Sequence, residues 1–206
     1  NSDEESMLEV FAMQKKEANQ LFCRFISDNY SFWLNGVEDP PVMSHTLIEK
    51  KIAPHLQGQS VMLFVIDNLR YDQWRVLRNV LRNLYTVDKE DIYYSILPTA
   101  TQYARNALFA GLMPTEIEKK FPQWWKNDRD EGGKNLYEKE LLSANLKRLG
   151  KNVKHSYNKI TNLNKGKKLV DNFSNLLQND LNVVVYNFVD MLSHARTDME
   201  VIRELA

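Results

Sequence analysis

The feature that most constrains the fold is an uninterrupted apolar run from Val61 to Ile66, which ends at Asp67. Six residues is the length of a strand, and a run that is apolar at every position is typical of a strand buried on both faces. Similar patterns predict further strands at 92–97, 153–157 and 182–189. Strands that alternate with helices argue for a parallel sheet flanked by helices. We therefore predict an α/β fold for this part of the chain.

Helical periodicity separates the predicted strands and also fills the N-terminal part of the chain. The predicted helices cover residues 3–34, 45–51, 71–84, 101–110, 138–149 and 169–177, and the stretch 114–134 reads as irregular. Asn35-Gly36 and Pro40-Pro41 interrupt the helical pattern before the first strand. We predict two parts: a helical linker or bundle segment at 1–57, and the α/β domain at 58–206.

Composition excludes several classes of protein. Of the 206 residues, 43% are hydrophobic, which is enough for a substantial core. The 27 basic and 27 acidic side chains cancel, so neither a sequence-specific DNA-binding surface nor a membrane-binding surface is expected. No apolar run is long enough to cross a bilayer and no signal peptide is recognisable, which predicts a cytoplasmic protein. The single Cys23, in the context LFCRF, reads as a buried thiol.

Polar side chains follow the predicted strands at the edge where parallel sheets bind ligands. Asp67 follows the first strand, Thr99 and Thr101 follow the second, and Asp190 and His194 follow the last. Two carboxylates, an imidazole and a hydroxyl suit a divalent metal such as zinc beside an oxygen nucleophile. Thr101 begins a predicted helix, where the positive end of the helix dipole favours an anion.

Each of these residues also has a simpler explanation. Asp67 could cap the following helix, and the absence of a GxxxxGK[ST] sequence argues against a nucleotide-binding P-loop. Asp190 could be a helix cap with an incidental His194, and Thr101 could be an ordinary N-cap. Arg105 lies one turn beyond Thr101 on the same face and could hold a phosphoryl oxygen through a forked contact.

Three segments in order carry a resemblance to a known family: LFVIDNLRYDQW, LPTATQYARNALFAGLMP and NFVDMLSHAR. Together they resemble the PglZ branch of the alkaline phosphatase superfamily, in the form found in PorX-type response regulators. The resemblance implies an incomplete alkaline-phosphatase-like fold preceded by part of a helical bundle. It also implies a receiver domain and a sensor histidine kinase as partners, in two-component signalling linked to type IX secretion.

The resemblance also implies roles for individual residues. Asp67 becomes a metal ligand, and Thr101 becomes the nucleophile and is itself bound to metal. Asp190 and His194 become ligands of a second ion, because family members hold two zinc-like ions. The spacing from Thr101 to Gly111 matches the family's nucleophile helix and favours Thr101 over Thr99.

One part of the family pattern is missing from the chain. The later Asp-His pair and final His do not occur before Ala206, and His45, His55 and His155 stand in other contexts, as surface or core histidines. Both ends of the chain look cut, so we expect a piece of a larger protein. Each metal would keep roughly two protein ligands, so we expect weak or no zinc binding and little activity. An open sheet edge could pair with a second copy in a homodimer.

Two functions follow from these expectations. The first is hydrolysis of phosphoesters, in particular diesters in nucleotides or oligonucleotides, by a Thr nucleophile. The alternative is a non-catalytic signalling scaffold that uses a phosphatase fold as an interaction surface. Trp124-Trp125 is interpreted as core or lid packing, with stacking on a substrate base as the functional alternative.

Overall fold

The computed structural model describes residues 2–36, 39–187 and 190. Contacts divide the chain into two compact units, Asn1–Pro41 and Val42–Ala206. The sequence analysis placed its domain boundary after residue 57. Ile48 and Leu56 nevertheless belong to the buried core of the second unit.

The first unit is built on one long helix, α1, at Ser2–Leu34, as predicted. Cys23 is exposed on this helix, so the predicted buried thiol is wrong. The reason is that a single helix cannot cover its own apolar face, and α1 is the one described helix of this unit. No helix in the described part of the chain is both long enough and apolar enough to cross a membrane.

The second unit alternates strands and helices. In chain order they are β1 Val61–Ile66, α2 Tyr71–Leu81, α3 Thr101–Ala110, α4 Pro114–Lys120, α5 Glu138–Arg148, β2 His155–Ile160, α6 Leu163–Asp171, α7 Phe173–Leu176 and β3 Leu181–Tyr186. Shorter helical turns occur at Ser44–Thr46, Ile48–Ile52, Ala53–His55 and Pro122–Trp124. This order confirms the predicted α/β class.

The three described strands form one parallel sheet in the order β1-β3-β2. In the middle strand β3, every residue from Leu181 to Val185 is buried. The edge strand β1 is less covered, because Phe64 is 59% exposed. The prediction that β1 is buried on both faces is therefore wrong. An apolar run reports the tendency to be buried, whereas the position in the sheet decides how much burial a strand receives.

The predicted strand at 92–97 is also wrong. This segment makes one isolated bridge, between Met43 and Tyr94, and joins no strand of the described sheet. The Tyr94 N–H donates to the Val42 carbonyl at 2.9 Å, so its backbone pairs with the segment before β1. Ile96 is fully buried while Ile92 is 77% exposed. The apolar residues thus anchor an irregular segment at one point.

Helical turns occur in two places where the sequence pattern predicts none, and local caps explain both. The stretch predicted as irregular contains α4, where the Glu116 carboxylate accepts a hydrogen bond from the Met113 N–H at 2.9 Å. Helix α6 begins at Leu163, earlier than predicted, because the Asn162 side chain accepts a hydrogen bond from the Lys165 N–H at 3.0 Å. Such caps satisfy N–H groups that the first helical turn leaves unpaired.

The core lies between the sheet and helices α3 and α5. Its fully buried members include Phe109, Leu141, Leu142, Leu146, Val183 and Val185. At the end of α3, Gly111 has a positive φ of 60°, and a Cβ placed there would lie 2.5 Å from the Asn145 Oδ1 atom of α5. Glycine therefore permits this close approach of the two helices. The packing fixes the start of α3 and the start of α5 relative to the sheet.

Replacing Phe109 by Ala tests this core. The ring is fully buried and meets the Tyr157 ring edge-on at a centroid distance of 5.5 Å. We expect Phe109→Ala to lower the free energy of unfolding by about 3–5 kcal/mol in urea titrations, since it removes buried area and leaves a cavity. Phe64→Ala is the matched control on the exposed face of β1 and should change stability much less. Equal losses would contradict the assigned core.

Candidate functional site

Asp67 and Thr101 are brought together where β1 ends and α3 begins. The Thr101 hydroxyl donates to the Asp67 Oδ2 atom at 3.4 Å. Asn68, next to Asp67, has a positive φ of 59°, a conformation that asparagine tolerates well, so the chain turns sharply after the strand. Thr101 is the first helical residue and Ala100 is the N-cap, which corrects the N-cap explanation of Thr101. The hydroxyl is therefore left for contacts outside its own helix.

The guanidinium of Arg105 is buried beside this pair. Its Nη1 atom donates to Asp67 Oδ2 at 2.7 Å and to the Asn187 side-chain oxygen at 2.8 Å. Its Nε atom donates to Glu138 Oε1, and its Nη2 atom lies 3.4 Å from Glu138 Oε2. The donors of Arg105 are thus directed at protein acceptors here. The phosphoryl contact foreseen for Arg105 stays a prediction.

Glu138, the first residue of α5, is the buried counter-ion of Arg105. Its Oε1 atom also accepts from the Asn135 side chain at 3.2 Å. Its Oε2 atom accepts from the Tyr157 hydroxyl at 2.5 Å and from Lys159 Nζ at 3.2 Å. Burial, together with the Glu138 carboxylate, raises the pKa of Tyr157. The phenol therefore stays a donor across the physiological range.

The partners of Arg105, Glu138 and Asn187, and the further partners of Glu138, Asn135, Tyr157 and Lys159, are not predicted from the sequence. Asn187 follows β3 directly, so the strand-end rule would have found it had the strand been ended at Tyr186 rather than at 189. Glu138 carried no such signal, because an acidic residue at the start of a helix is expected from the helix dipole alone.

Burial raises the pKa of Asp67, and the neighbouring carboxylates of Asp190 and Glu138 raise it further. Arg105 and the Thr101 hydrogen bond act in the opposite direction but do not offset these effects. Arg105 is shared between Asp67 and Glu138, and Lys159 is a second cation on Glu138 only. The site thus holds more negative charge than Arg105 neutralises.

The predicted metal ligands are only partly within the described residues. Asp190 lies close enough to influence the charge of Asp67, whereas His194 lies outside the described residues. Within residues 2–36, 39–187 and 190, no three His, Cys, Asp or Glu side chains are grouped to hold a metal ion. The carboxylates of Asp67 and Asp190 and the Thr101 hydroxyl fit a hard divalent cation in kind, and the excess negative charge favours one.

Thr99 and three histidines are the other residues considered from the sequence as candidates for this site. Thr99 and His55 are exposed. The His155 Nε2 atom lies 2.8 Å from the Ser143 hydroxyl, and His45 is half-buried. Burial lowers the pKa of His45.

The tryptophan pair is engaged in packing. Trp125 is buried, with 8% of its surface exposed, and belongs to the core. Trp124 stacks on Phe121 with ring centroids 4.8 Å apart. These contacts agree with the packing interpretation of Trp124-Trp125.

Comparison with known proteins gives two family matches. The model of the BREX system PglZ alkaline phosphatase-like domain matches residues 47–206. The model of the PorX response regulator linker domain matches residues 1–34. No curated protein is similar enough to the chain to be matched.

Replacing Arg105 by Met tests the buried ion pairs. The substitution keeps the aliphatic stem but leaves the Asp67 and Glu138 carboxylates without their shared cation. We expect a loss of about 3–5 kcal/mol in the free energy of unfolding, because a buried charge without a partner is strongly unfavourable. Arg70→Met is the matched control, since Arg70 pairs with Asp72 at 2.8 Å on the exposed surface. It should cause no measurable change, and a similar loss in both variants would contradict the assignment.

The raised pKa of Asp67 predicts a pH dependence of stability. The folded state holds the Asp67 proton more tightly than the unfolded state does, so ionisation of Asp67 disfavours folding. We expect the stability of the wild type relative to Asp67→Asn to be highest below 3.8, the ordinary pKa of an Asp carboxyl. It should fall as the pH rises through the raised value. Urea unfolding of both proteins between roughly pH 3 and 7 measures this difference, and a rise with pH would contradict the prediction.

Proposed function

The chain belongs to the family of PglZ alkaline phosphatase-like domains, preceded by a PorX response regulator linker, and from this membership we propose that it serves as a response-regulator output domain that hydrolyses phosphoesters. The resemblance found in the sequence is thereby confirmed at the level of the family. We further propose that the metal is zinc, that the nucleophile is a Thr and that the substrate is a phosphodiester.

The observation that carries the proposal is the contact between the Thr101 hydroxyl and the Asp67 carboxylate at 3.4 Å. Thr101 begins α3, and the first turn of a helix presents backbone N–H groups without intrahelical partners. These groups and the helix dipole favour a phosphoryl group at that position. The hydroxyl therefore stands where an anion would bind, and Asp67 orients it.

The proposed reaction uses Thr101 twice. Its oxygen attacks phosphorus and loses its proton, the bond to the leaving alkoxide breaks and that alkoxide is protonated, and the remaining phosphoryl ester stays bound to Thr101. Water then attacks the same phosphorus and releases Thr101 with its proton restored. Asp67, Asp190 and His194, together with Thr101, would hold divalent ions such as zinc, which when bound supply Lewis acidity and favour loss of the hydroxyl proton. We propose diesters in nucleotides or oligonucleotides as substrates.

A second candidate, a signalling scaffold without turnover, is favoured by a different observation. Arg105 pairs with Asp67 at 2.7 Å, a contact that stabilises the fold and needs no turnover. In that case the domain would transmit phosphorylation of a receiver domain through contacts with its partners.

Replacing Thr101 by Ala in the whole protein separates the two candidates. Turnover of bis-p-nitrophenyl phosphate should fall on the order of 10³-fold or more if Thr101 is the nucleophile. Thr99→Ala is the matched control, because Thr99 is exposed two residues earlier, and it should retain turnover.

Each other result has a definite meaning. Unchanged turnover in Thr101→Ala removes Thr101 from the mechanism, and loss in Thr99→Ala alone reassigns the nucleophile. A wild type that never turns over, with signalling intact in both variants, supports the scaffold.

A further inference from the structure

A buried polar network lies directly beneath the contact between Asp67 and Thr101. Its centre is Glu138, of which 1% is exposed, and both carboxylate oxygens of Glu138 accept hydrogen bonds. The four donors come from three places in the chain: Arg105 on α3, Asn135 before α5, and Tyr157 and Lys159 on β2. A carboxylate buried to this degree is stable only when its acceptors are satisfied. These contacts therefore fix Glu138 in one position.

The planar guanidinium of Arg105 connects the network to the site, because it donates hydrogen bonds from two of its edges. The Nε and Nη2 edge of Arg105 faces Glu138, and its Nη1 atom faces Asp67 at 2.7 Å. A guanidinium is a rigid fork, so fixing one edge sets the direction of the other. Asp67 in turn accepts a hydrogen bond from the Thr101 hydroxyl at 3.4 Å. The position of Glu138 thus determines where the Asp67 carboxylate and the Thr101 hydroxyl meet.

Charge is a second reason why the position of Asp67 depends on Glu138. Arg105 faces the carboxylates of both Asp67 and Glu138, and Lys159 is the second cation on Glu138. If Glu138 lost its charge, the ion pairs of Arg105 would be reduced to the one with Asp67, beside the hydrogen bond to Asn187. The guanidinium would then be free to turn, because the contacts on its Nε edge would be weakened.

We propose that Glu138 is a positioning residue for the phosphoesterase reaction: it holds Arg105, and through it Asp67, so that the Thr101 oxygen stands ready to attack phosphorus. This inference rests on the proposed function. Glu138 acts through Arg105. Tyr157 and Lys159 support it by occupying its other oxygen.

Glu138→Gln in the whole protein tests the proposal, because it removes the charge and keeps the shape. We expect kcat on bis-p-nitrophenyl phosphate to fall about 10–100-fold, the range for residues that orient a reacting group. KM should stay within about threefold, since a misaligned nucleophile impairs the chemical step rather than substrate binding. Unchanged kcat, or a rise in KM alone, would overturn the proposal.

Tyr157→Phe is the second variant, for the case that Glu138→Gln does not fold. It removes one donor to Glu138 and leaves both ion pairs, so a smaller fall in kcat at unchanged KM is expected. Tyr103→Phe is the control: the Tyr103 hydroxyl donates to Asp128 at 2.7 Å, a phenol–carboxylate bond that is exposed and lies outside the network. Equal effects of the two substitutions would count against Glu138.

Thermal unfolding tests the link between Glu138 and Asp67 without a measurement of turnover. If Glu138 is linked to Asp67 through Arg105, the shifts in Tm caused by Tyr157→Phe and Asp67→Asn should not add in the double variant. Additive shifts would overturn the linkage. An inactive wild type with non-additive shifts would instead refute the proposed reaction and keep the linkage.

Discussion

The buried guanidinium of Arg105 is the group on which the organisation of the site depends. It is 5% exposed and joins α3 to the carboxyl end of β1 through Asp67, to the end of β3 through Asn187, and to α5 through Glu138. A cation in this environment is stable only with its acceptors in place. Because Arg105 must stay paired, its contacts hold β1, β3 and α5 in fixed positions around its guanidinium.

The position of this cation follows from the apolar packing beneath it. The sheet and the two helices share a core in which Phe109, Leu142 and Val183 are buried. Because α3 and α5 are packed against the same sheet, the first residues of both helices lie at one edge, where Thr101 and Glu138 stand. Hydrophobic burial supplies the stability of this arrangement, and the polar network selects the orientation of the side chains within it.

The electrostatic balance explains how one structure can be compatible with two roles. The pKa of Asp67 is raised although Arg105 is 2.7 Å away, because burial and the charges of Asp190 and Glu138 outweigh that single cation. A site with surplus negative charge favours an added divalent cation, as phosphoester chemistry requires. The paired arrangement is also stable without turnover, as a signalling surface requires. Membership of the PglZ alkaline phosphatase-like family is consistent with both roles.

The sequence by itself determined those strands and helices whose bounds follow from the pattern of neighbouring residues. Strand β1 at Val61–Ile66 and helix α3 at Thr101–Ala110 have their predicted bounds, because a strand-length apolar run and a helical repeat are properties of neighbouring residues. The strand-end rule of parallel sheets also placed Asp67 correctly, whereas Thr101 was assigned to the same edge through a strand at 92–97 that does not form. Only the tertiary structure decided that Phe64 faces outward, that residues 92–97 form no strand, and that Arg105, Tyr157 and Lys159 converge on Glu138. Those outcomes depend on partners distant in the chain, such as Arg105 and Asn187, which are 82 positions apart. Periodicity carries no information about which distant residue will supply a buried charge with its counter-ion.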